Sequence, residues 1–460
     1  MAGVGVVRAW LVVEIRKEAQ GMGWLRRVPV RSLLVFWLFV LSAVAFLDRT
    51  NISISGAAIR DELHTDNIHL GWIFSAFLVG YAAFQVPGGW LALRLGPRRV
   101  LAAGVIWWGV FTALTAVVDP RIGPALFLLI GVRFSLGAGE AVMYPASNQF
   151  VAYWIPVAER GRANGWIFAG VGAGSAFSIP ILTWVISRAG WRASFWFCAL
   201  IGVAAGLVWY LLARNRPEEH PLVSREELAH IQATRSLETS VGAGSRSWRE
   251  VSLNRNVLAL TASYFCFGYV SWIFFSWFFI YLAQVRHLDL KTNAAFAMSP
   301  FIAMTVCCLG GGAVSDALIR RFGLRAGRCG VGVFSSALTA VFLVSGSHAQ
   351  SPYAAIAILA GGAGALYFSQ SSFWAVSADI AGERCGPVSG VMNMGCQIGA
   401  AITSSLTPYI AAHWGWNAVF VFTAGVAAAG GLAWLAVDPG KVGAEMKAGA
   451  VRVEAGIAGK

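Results

Sequence analysis

The segment that decides the fold occurs twice in the chain, each time where a long apolar run ends near a cluster of basic residues. The first copy reads Gly88-Gly89-Trp90-Leu91-Ala92-Leu93-Arg94-Leu95-Gly96-Pro97-Arg98-Arg99. The second copy reads Gly311-Gly312-Ala313-Val314-Ser315-Asp316 and is followed by Arg320-Arg321. Each copy closes the second of six apolar runs in its half of the chain. This repeat predicts two six-helix bundles with a central cavity between them.

The composition places most of the chain in a membrane. Of 460 residues, 57% are hydrophobic and 12% are charged, whereas a soluble domain carries roughly 25% charged residues. Such a chain cannot cover a water-facing surface, which excludes a soluble enzyme, a disordered chain and a nucleic-acid-binding domain. The net charge of +13 does not indicate nucleic acid either, because the basic residues cluster between the apolar runs.

Twelve runs are long enough to cross a bilayer, for which a helix needs about 20 mainly apolar residues. They cover residues 32–58, 69–92, 100–118, 124–148, 163–186, 192–213, 257–284, 293–318, 329–346, 352–377, 387–411 and 416–437. The predicted fold is therefore an all-α membrane protein with twelve transmembrane helices in two six-helix bundles.

The basic residues also predict the orientation. With the N-terminus inside, most of the 35 lysines and arginines fall in the tails and the internal loops, as expected for a cell (inner) membrane protein with both termini cytoplasmic. The predicted domains are an N-terminal tail (1–31), a first bundle (32–213), a cytoplasmic linker (214–256), a second bundle (257–437) and a C-terminal tail (438–460). Within the linker, Ser224 precedes Glu227 by three residues, a spacing that favours a capped helix.

The sequence lacks the residue patterns that several kinds of functional site require. The seven histidines lie in or near connecting loops, and the seven cysteines form no C-x-x-C pair, which argues against haem or a metal site. There is no phosphate-binding G-x-x-x-x-G-K-[ST] loop. We therefore expect no enzyme activity, cofactor or metal. The expected partner from composition alone is the lipid bilayer, with no nucleic acid and no obligate protein partner.

Four ionisable residues are predicted at membrane depth: Asp48, Arg49, Arg133 and Glu140. Each costs about 2.5–3.5 kcal/mol there, and the two acids and two bases sum to zero. Arg133 and Glu140 are seven residues apart and share a helix face. The adjacent Asp48 and Arg49 point about 100° apart, so one can face the bundle interior while the other faces the central cavity. The pattern predicts that the four charges compensate one another in one cavity.

The chain resembles the major facilitator superfamily in the repeated segment, and within it the anion:cation symporter family. That family includes sugar-acid (hexuronate and galactonate) transporters, sialin-like proteins and vesicular glutamate transporters. The narrower resemblance is carried by Leu47-Asp48-Arg49-Thr50-Asn51-Ile52, Arg133-Phe134-Ser135-Leu136-Gly137-Ala138-Gly139-Glu140, Tyr144-Pro145-Ala146, Trp154-Ile155-Pro156 and Glu159-Arg160-Gly161-Arg162-Ala163. It implies a secondary transporter in which Arg49 contacts substrate and Glu140 couples protons.

The buried charges suggest how such a symporter would work. Arg49 and Arg133 are predicted to hold the anion, because guanidinium groups match carboxylates. Asp48 and Glu140 are predicted to take up protons, because burial disfavours a charged carboxyl group and a nearby arginine favours it. An anion that occupies an arginine would then promote protonation of the carboxylate left behind. The alternative is that these residues form two structural salt bridges only.

Weaker candidates complete the predicted site. Polar and aromatic residues expected to line the cavity and to bind substrate are Tyr81, Ser371, Ser372, Trp374 and Asn393, with Gln85 and Gln397 beside them. Their alternative role is hydrogen bonding between helices. The predicted gate motif comprises Gly89, Arg94, Gly96, Arg98, Arg99 and Asp316, with Asp379 in gate salt bridges. Leu93 replaces the acidic gate residue of the family, so the first-half gate is predicted to be looser or to use other contacts.

Two features separate this chain from neighbouring functions. An exporter or uniporter of a different small solute is the first alternative, but the G-x-x-x-G-P-x-x-G-G pattern usual in the fifth span of drug exporters is not present in Gly170 to Pro180. A membrane sensor that does not transport is a second alternative. No effector domain is evident, because the linker and the tail are short. Val171 stands where sugar-acid members of the family have a glutamine, which argues against a close match to them.

Overall fold

The structure is a computed structural model that describes residues 29–64, 67–119, 121, 124–242, 248–285, 296 and 298–439. Most of each predicted tail (1–31 and 438–460) and the start of the predicted run 293–318 lie outside these residues. Within the described ranges every regular element is a helix. The prediction of an all-α fold is confirmed.

Ten apolar segments in the described ranges are long enough to span a membrane, and two of them are bent into two spans each. Spans one to four are Val30–Glu62, Asn67–Leu95, Pro97–Val117 and the pair Ala125–Glu140 with Met143–Trp154; helix Arg160–Leu212 carries spans five and six. Span seven is Arg255–Ser276 with Phe278–Val285. Spans eight to ten are Ser299–Phe322, Leu324–His348 and the pair Pro352–Phe368 with Gln370–Ala381, and Cys385–Leu435 carries spans eleven and twelve. The twelve predicted spans are therefore present.

The corners between spans repeat from one half to the other. Gly96 and Gly323 separate spans two and three and spans eight and nine, with φ of 87° and 86°. Gly190 and Gly415 make the bends between spans five and six and spans eleven and twelve, with φ of 81° and 78°. These left-handed backbone conformations favour glycine, because a side chain would clash there. The same corner chemistry supports the predicted repeat of two six-helix bundles.

The linker contains the expected helix, Arg225–Gly242. Its start is capped by Ser224, whose Oγ accepts a 3.1 Å hydrogen bond from the Glu227 amide. The Glu227 carboxylate accepts hydrogen bonds from the backbone amides of Val30, at 3.1 Å, and Arg31, at 3.0 Å. The linker helix thus caps the first span, whose first amides have no partner within their own helix. We call this end of the bundles the linker end and the opposite one the far end.

At the linker end the two bundles meet backbone to backbone. A Cβ on Gly89 in span two would lie 2.2 Å from the carbonyl oxygen of Gly386 in span eleven. A Cβ on Gly312 in span eight would lie 2.3 Å from the carbonyl oxygen of Gly161 in span five. We call these contacts the 2/11 edge and the 5/8 edge. Both require glycine, and both hold the linker end closed.

The two corner glycines Gly96 and Gly323 allow a matched test of backbone strain. Gly323→Ala is expected to destabilise the protein by about 1–2 kcal/mol, because its left-handed backbone disfavours a Cβ. Gly96→Ala is expected to cost more, since its Cβ would also lie 2.4 Å from the Asn215 side chain. Thermal unfolding in detergent measures the order. Gly330→Ala is the control. Gly330 lies in a helix and faces open space, so alanine there should make the protein more stable.

Candidate functional site

Two cavities lie between the bundles and meet at Arg49. The outer cavity, about 580 Å³, lies towards the far end and is lined by Phe46, Arg49, Thr50, Ile52, Ile54, Phe74, Phe77, Leu78, Arg133, Ser175, Ile179, Trp272, Phe274, Phe275, Ser276, Phe278 and Phe301. The inner cavity, about 40 Å³, lies deeper and is lined by Phe46, Arg49, Tyr81, Tyr144, Phe168, Val171, Tyr264, Phe267, Ser271, Trp272, Tyr367, Gln370, Asn393, Cys396 and Gln397. Arg49 therefore lines both cavities.

Arg49 forms a buried ion pair with Glu140 at this junction. The distance from Arg49 Nε to Glu140 Oε1 is 2.5 Å, and the guanidinium lies 4.4 Å from the centre of the Tyr81 ring. Rings of Phe46 and Phe77 cover it at 4.7 and 5.3 Å. Arg49 Nη2 and Glu140 Oε2 are buried without a hydrogen-bond partner among the described residues. The pair therefore leaves a donor and an acceptor available to other groups.

Arg133 lines the outer cavity with its charge uncompensated by direct contact. Its side chain is 2% exposed, and its Nε and Nη1 have no hydrogen-bond partner in the described part of the chain. The guanidinium lies 5.1 Å from the ring centre of Phe77. A buried cation without a partner is costly. An anion entering the outer cavity would meet two open donors on Arg133.

Asp48 points away from both cavities, into the first bundle. Its Oδ2 accepts a 2.5 Å hydrogen bond from Thr112 Oγ1 in the third span, while its Oδ1 has no partner within the described ranges. Adjacent residues on one helix thus point in different directions, as the helical geometry requires. Asp48 thus faces the bundle interior and Arg49 the central cavities, as the 100° separation allowed. The expectation that all four charges meet in one cavity is corrected in this respect, because Asp48 is bonded to a hydroxyl group.

Three of the weaker candidates line the inner cavity: Tyr81, Asn393 and Gln397. Asn393 Nδ2 donates to Gln85 Oε1 at 3.0 Å, which joins span eleven to span two. This bond is also the helix–helix alternative considered for these residues. Their role in substrate binding remains a prediction.

Ser371, Ser372 and Trp374 line neither cavity, contrary to the expectation that they face it. The tenth span is interrupted at Ser369, between helices Pro352–Phe368 and Gln370–Ala381, and residues on either side of this break line the inner cavity instead. Trp374 Nε1 donates to the Tyr264 hydroxyl at 2.9 Å, and Ser372 Oγ to Ser315 Oγ at 3.4 Å. In this conformation, Ser372 and Trp374 join span ten to spans eight and seven behind the cavity wall.

Several cavity residues were not among the predicted binding residues. Gln370 lies at the break in span ten, and Tyr264 and Tyr367 lie beside it in the inner cavity. Phe46 precedes Arg49 by three residues, so helical spacing alone could have placed it on the same face. The break at Ser369 has no comparable signal in the sequence, because neither glycine nor proline marks it.

The 5/8 edge is closed by buried ion pairs. The Asp316 carboxylate accepts a hydrogen bond from Arg328 Nη1 at 2.8 Å. It also accepts hydrogen bonds from the backbone amides of Gly161 and Arg162, at 3.0 and 2.6 Å. Asp379 pairs with Arg160 at 2.9 Å and with Arg328 at 3.3 Å. These contacts join spans eight, nine and ten to the start of span five. Asp316 and Asp379 therefore lie where the gate motif predicted them.

The 2/11 edge is closed by a neutral contact. Leu93 occupies the position that matches Asp316 in the repeat, so this edge lacks the matching carboxylate. The backbone amide of Gly386 donates a hydrogen bond to Gln149 Oε1 instead, at 2.6 Å. Gln149 comes from span four. Of the two outcomes expected for Leu93, the structure has the second, in which other contacts close this edge.

The basic residues of the gate motif lie beside the edges and not in them. Arg98 is buried and donates to the Tyr210 carbonyl at 2.9 and 2.6 Å, and its amide donates to Asn215 at 3.1 Å. Arg94 is exposed and lies 4.5 Å from the Trp90 ring centre, and Arg99 is exposed. Arg98 therefore stabilises the first bundle from within, whereas Arg94 and Arg99 lie on its surface. No group of three or more potential metal ligands occurs within the described ranges.

The fold and the site can be compared with known proteins. The family model described as Major Facilitator Superfamily matches residues 38–404. The chain belongs to the major facilitator superfamily. It is therefore a membrane transporter and not an enzyme, and the predicted fold class is confirmed.

Curated relatives of this major facilitator protein carry transporter names. It is 30% identical to the probable sulfoacetate transporter SauU of Cupriavidus necator, over 90% of this chain and 95% of that one. It is 27% identical to the probable galactarate/D-glucarate transporter GudP of Bacillus subtilis, over 89% and 92%. Both are named for organic anions, as the resemblance to anion:cation symporters implied.

A solved structure supports the fold independently. The proton:xylose symporter XylE, solved with 6-bromo-6-deoxy-D-glucose, superposes with a TM-score of 0.67 over 87% of this chain and 95% of that chain. The sequence identity is 14%, so this likeness concerns the fold alone.

The 5/8 edge can be tested with a cysteine that the chain already contains. Cys385 is fully buried at the start of span eleven, next to Gly386, and can be kept as the only cysteine. Asp316→Asn should increase its rate of maleimide labelling severalfold, because loss of one partner of a buried pair costs about 3–5 kcal/mol. Asp61→Asn, exposed at the far end, is the control. Unchanged labelling in Asp316→Asn would show that the ion pairs do not hold the linker end closed.

Proposed function

We propose that this transporter carries a small organic anion into the cell together with protons, by alternating access. The observation that carries the proposal is the Arg49–Glu140 pair, buried where the two cavities meet, together with Arg133 in the outer cavity, which pairs with no acidic side chain of the described residues. The linker end would be the cytoplasmic side, with both termini there in the cell (inner) membrane, as the distribution of basic residues suggests. The described conformation would then face outwards.

The proposed cycle begins in the outer cavity. An anion binds the open donors of Arg133 and then Arg49, since charge-assisted hydrogen bonds are favoured in a site with little water. As the anion takes over Arg49, Glu140 loses its charged partner while remaining buried. A buried carboxylate without a partner takes up a proton. With a monoanion the site gains one negative charge and one proton and carries no added net charge, whereas a dianion needs two protons for the same balance.

Movement of the bundles would follow from this neutralisation. With the charge balanced, the bundles can rotate about the site, so that the 2/11 and 5/8 edges separate and the outer cavity closes. Asp48, bonded to Thr112 in the first bundle, is proposed as a second protonatable group. The names of the relatives, sulfoacetate and galactarate/D-glucarate transporters, support an organic anion as the substrate.

Glu140→Gln should separate coupling from exchange. A glutamine keeps the size and hydrogen bonding of the carboxyl group but cannot be protonated, so uptake driven by an imposed pH gradient should fall to background. Counterflow exchange, which needs no net proton movement, should persist. Both are measured in proteoliposomes in sodium-free buffer, with sulfoacetate and glucarate as probes. Exposed Glu226 supplies the control, Glu226→Gln.

Two results would contradict this assignment. Gradient-driven uptake that survives in Glu140→Gln would remove the glutamate from coupling. Uptake by the unmodified protein that ignores the pH gradient and needs no other ion would indicate a uniporter, and accumulation driven outwards would indicate an exporter.

Arg133→Ala should weaken anion binding by at least about tenfold, because a hydrogen bond to a charged group contributes about 1.5–3 kcal/mol. Arg133→Lys should restore part of the affinity, since lysine keeps the charge without the planar fork. Calorimetric titration of the purified protein measures both. Arg188→Ala, at an exposed position of the fifth span, serves as the control. Unchanged affinity in Arg133→Ala would place the anion elsewhere.

A further inference from the structure

We infer that the substrate is a carboxylate carried on an aromatic ring, and not a polyhydroxylated sugar acid. The inference rests on the proposed anion site and names the class of molecule that fits around it. It comes from the cavity walls and from the polar groups already bonded within the protein.

Aromatic side chains form about half of the outer cavity wall. Eight of its seventeen lining residues are phenylalanine or tryptophan, and four more are isoleucine or leucine. Its polar groups are the two arginines and three hydroxyl-bearing residues. An entering molecule therefore meets two cations at one point and apolar surface nearly everywhere else. This suits a ligand with one charged end and one flat apolar body.

The rings come from both bundles and pack against one another as one aromatic cluster in the cavity wall. Phe275 of span seven lies 5.9 Å from Phe46 of span one, 5.3 Å from Trp272 and 5.0 Å from Phe301, between ring centres. The interplanar angles are 44–46°. Tilted and edge contacts of this kind are favourable for aromatic groups. A substrate ring placed here would contact the two bundles at once.

The polar groups of the outer cavity are already partly satisfied within the protein. Thr50 Oγ1 donates to the Phe46 carbonyl at 2.8 Å, and Ser175 Oγ to the Val171 carbonyl at 2.9 Å. Thr50 and Ser175 therefore have no hydroxyl hydrogen left to donate to a ligand, and Ser276 is the remaining hydroxyl group of this wall. A sugar acid in this cavity would bury several hydroxyl groups for which few partners remain, at a cost of about 1–3 kcal/mol for each one left unpaired.

Several polar side chains of the inner cavity are likewise hydrogen-bonded within the protein. Tyr144 bonds to Ser42 at 3.0 Å, Ser271 to Tyr367 at 3.1 Å, and Asn393 to Gln85. On the fifth span, Val171 presents an apolar side chain to this cavity. These groups reinforce the helices and offer little to a chain of hydroxyl groups.

Besides Arg49 Nη2, three polar groups that line the inner cavity are buried without a hydrogen-bond partner among the described residues. They are the Tyr81 hydroxyl and the Oε1 atoms of Gln370 and Gln397. An amide oxygen accepts but does not donate. A single hydroxyl or amine substituent on the ring could donate to one of them. The structure therefore fits a hydroxy-substituted aromatic carboxylate better than an unsubstituted one.

Binding to the purified full-length protein, measured by calorimetry in detergent, tests the ring with matched probes. Benzoate and cyclohexanecarboxylate have the same charge and nearly the same size but differ in aromaticity. Benzoate should bind at least several times more tightly, and 4-hydroxybenzoate more tightly still. Glucarate and sulfoacetate should bind at least tenfold more weakly than 4-hydroxybenzoate. Equal binding of the matched pair, or tighter binding of glucarate or sulfoacetate, would overturn the inference.

A variant of the cavity wall gives a second readout. Phe275→Leu keeps an apolar side chain but removes the ring, so benzoate affinity should fall about two- to tenfold while cyclohexanecarboxylate affinity changes little. Phe177→Leu is the matched control, because Phe177 is 66% exposed on the outside of span five. An equal effect of both variants, or equal losses for both probes, would contradict a ring-specific wall.

The outcomes separate this inference from the proposed function. If glucarate or sulfoacetate binds best and its uptake follows the pH gradient, the aromatic assignment is wrong and proton-coupled anion transport stands. If aromatic carboxylates bind as expected but uptake ignores the gradient, the coupling is wrong and the aromatic site stands. If none of these anions binds, both are wrong.

Discussion

The ion pair between Arg49 and Glu140 is the interaction around which the rest of the molecule is arranged. A charge taken into a membrane protein must be paired or neutralised, since the free energy of burying it alone is prohibitive. The pair meets this requirement with one nitrogen and one oxygen at 2.5 Å and leaves the second atom of each group unbonded. Its position between two cavities makes this incomplete pairing chemically useful. A competing anion or proton can exchange with either partner without passing through lipid.

The surrounding layers follow from that requirement. Glycines at the 2/11 and 5/8 edges bring the backbones together at the linker end, so water does not reach the pair from that side in this conformation. Aromatic rings cover the guanidinium on its open faces and replace water with a surface that favours cations. The Thr50 and Ser175 hydroxyl groups are bonded to the helices that carry them. Of the polar atoms left without a partner in the described part of the chain, those on Arg133, Tyr81, Gln370 and Gln397 lie around the charge pair and line the two cavities.

Much of this could be predicted from the sequence because its signals are local. Twelve apolar runs, the repeated glycine-rich segment and four ionisable residues at membrane depth depend on composition and spacing, and they set the fold and the junction at Arg49. The partners of individual side chains depend on long-range packing. Asp48 bonds to Thr112 from another span, Gln149 takes the place of the missing acid at position 93, and the break at Ser369 turns Ser371, Ser372 and Trp374 out of the cavity. Only the assembled bundle determines these contacts.

The unequal chemistry of the two edges bears on how the linker end opens. Ions or protons in the surrounding solution weaken a carboxylate–guanidinium pair, whereas a glutamine–peptide hydrogen bond such as Gln149 to Gly386 carries no charge to screen or titrate. Among the contacts of the described residues, acidity and salt therefore act on the ion pairs between spans five and eight and not on the Gln149–Gly386 bond. Separation of the linker end would start between spans five and eight, and the contact between spans two and eleven would part after it.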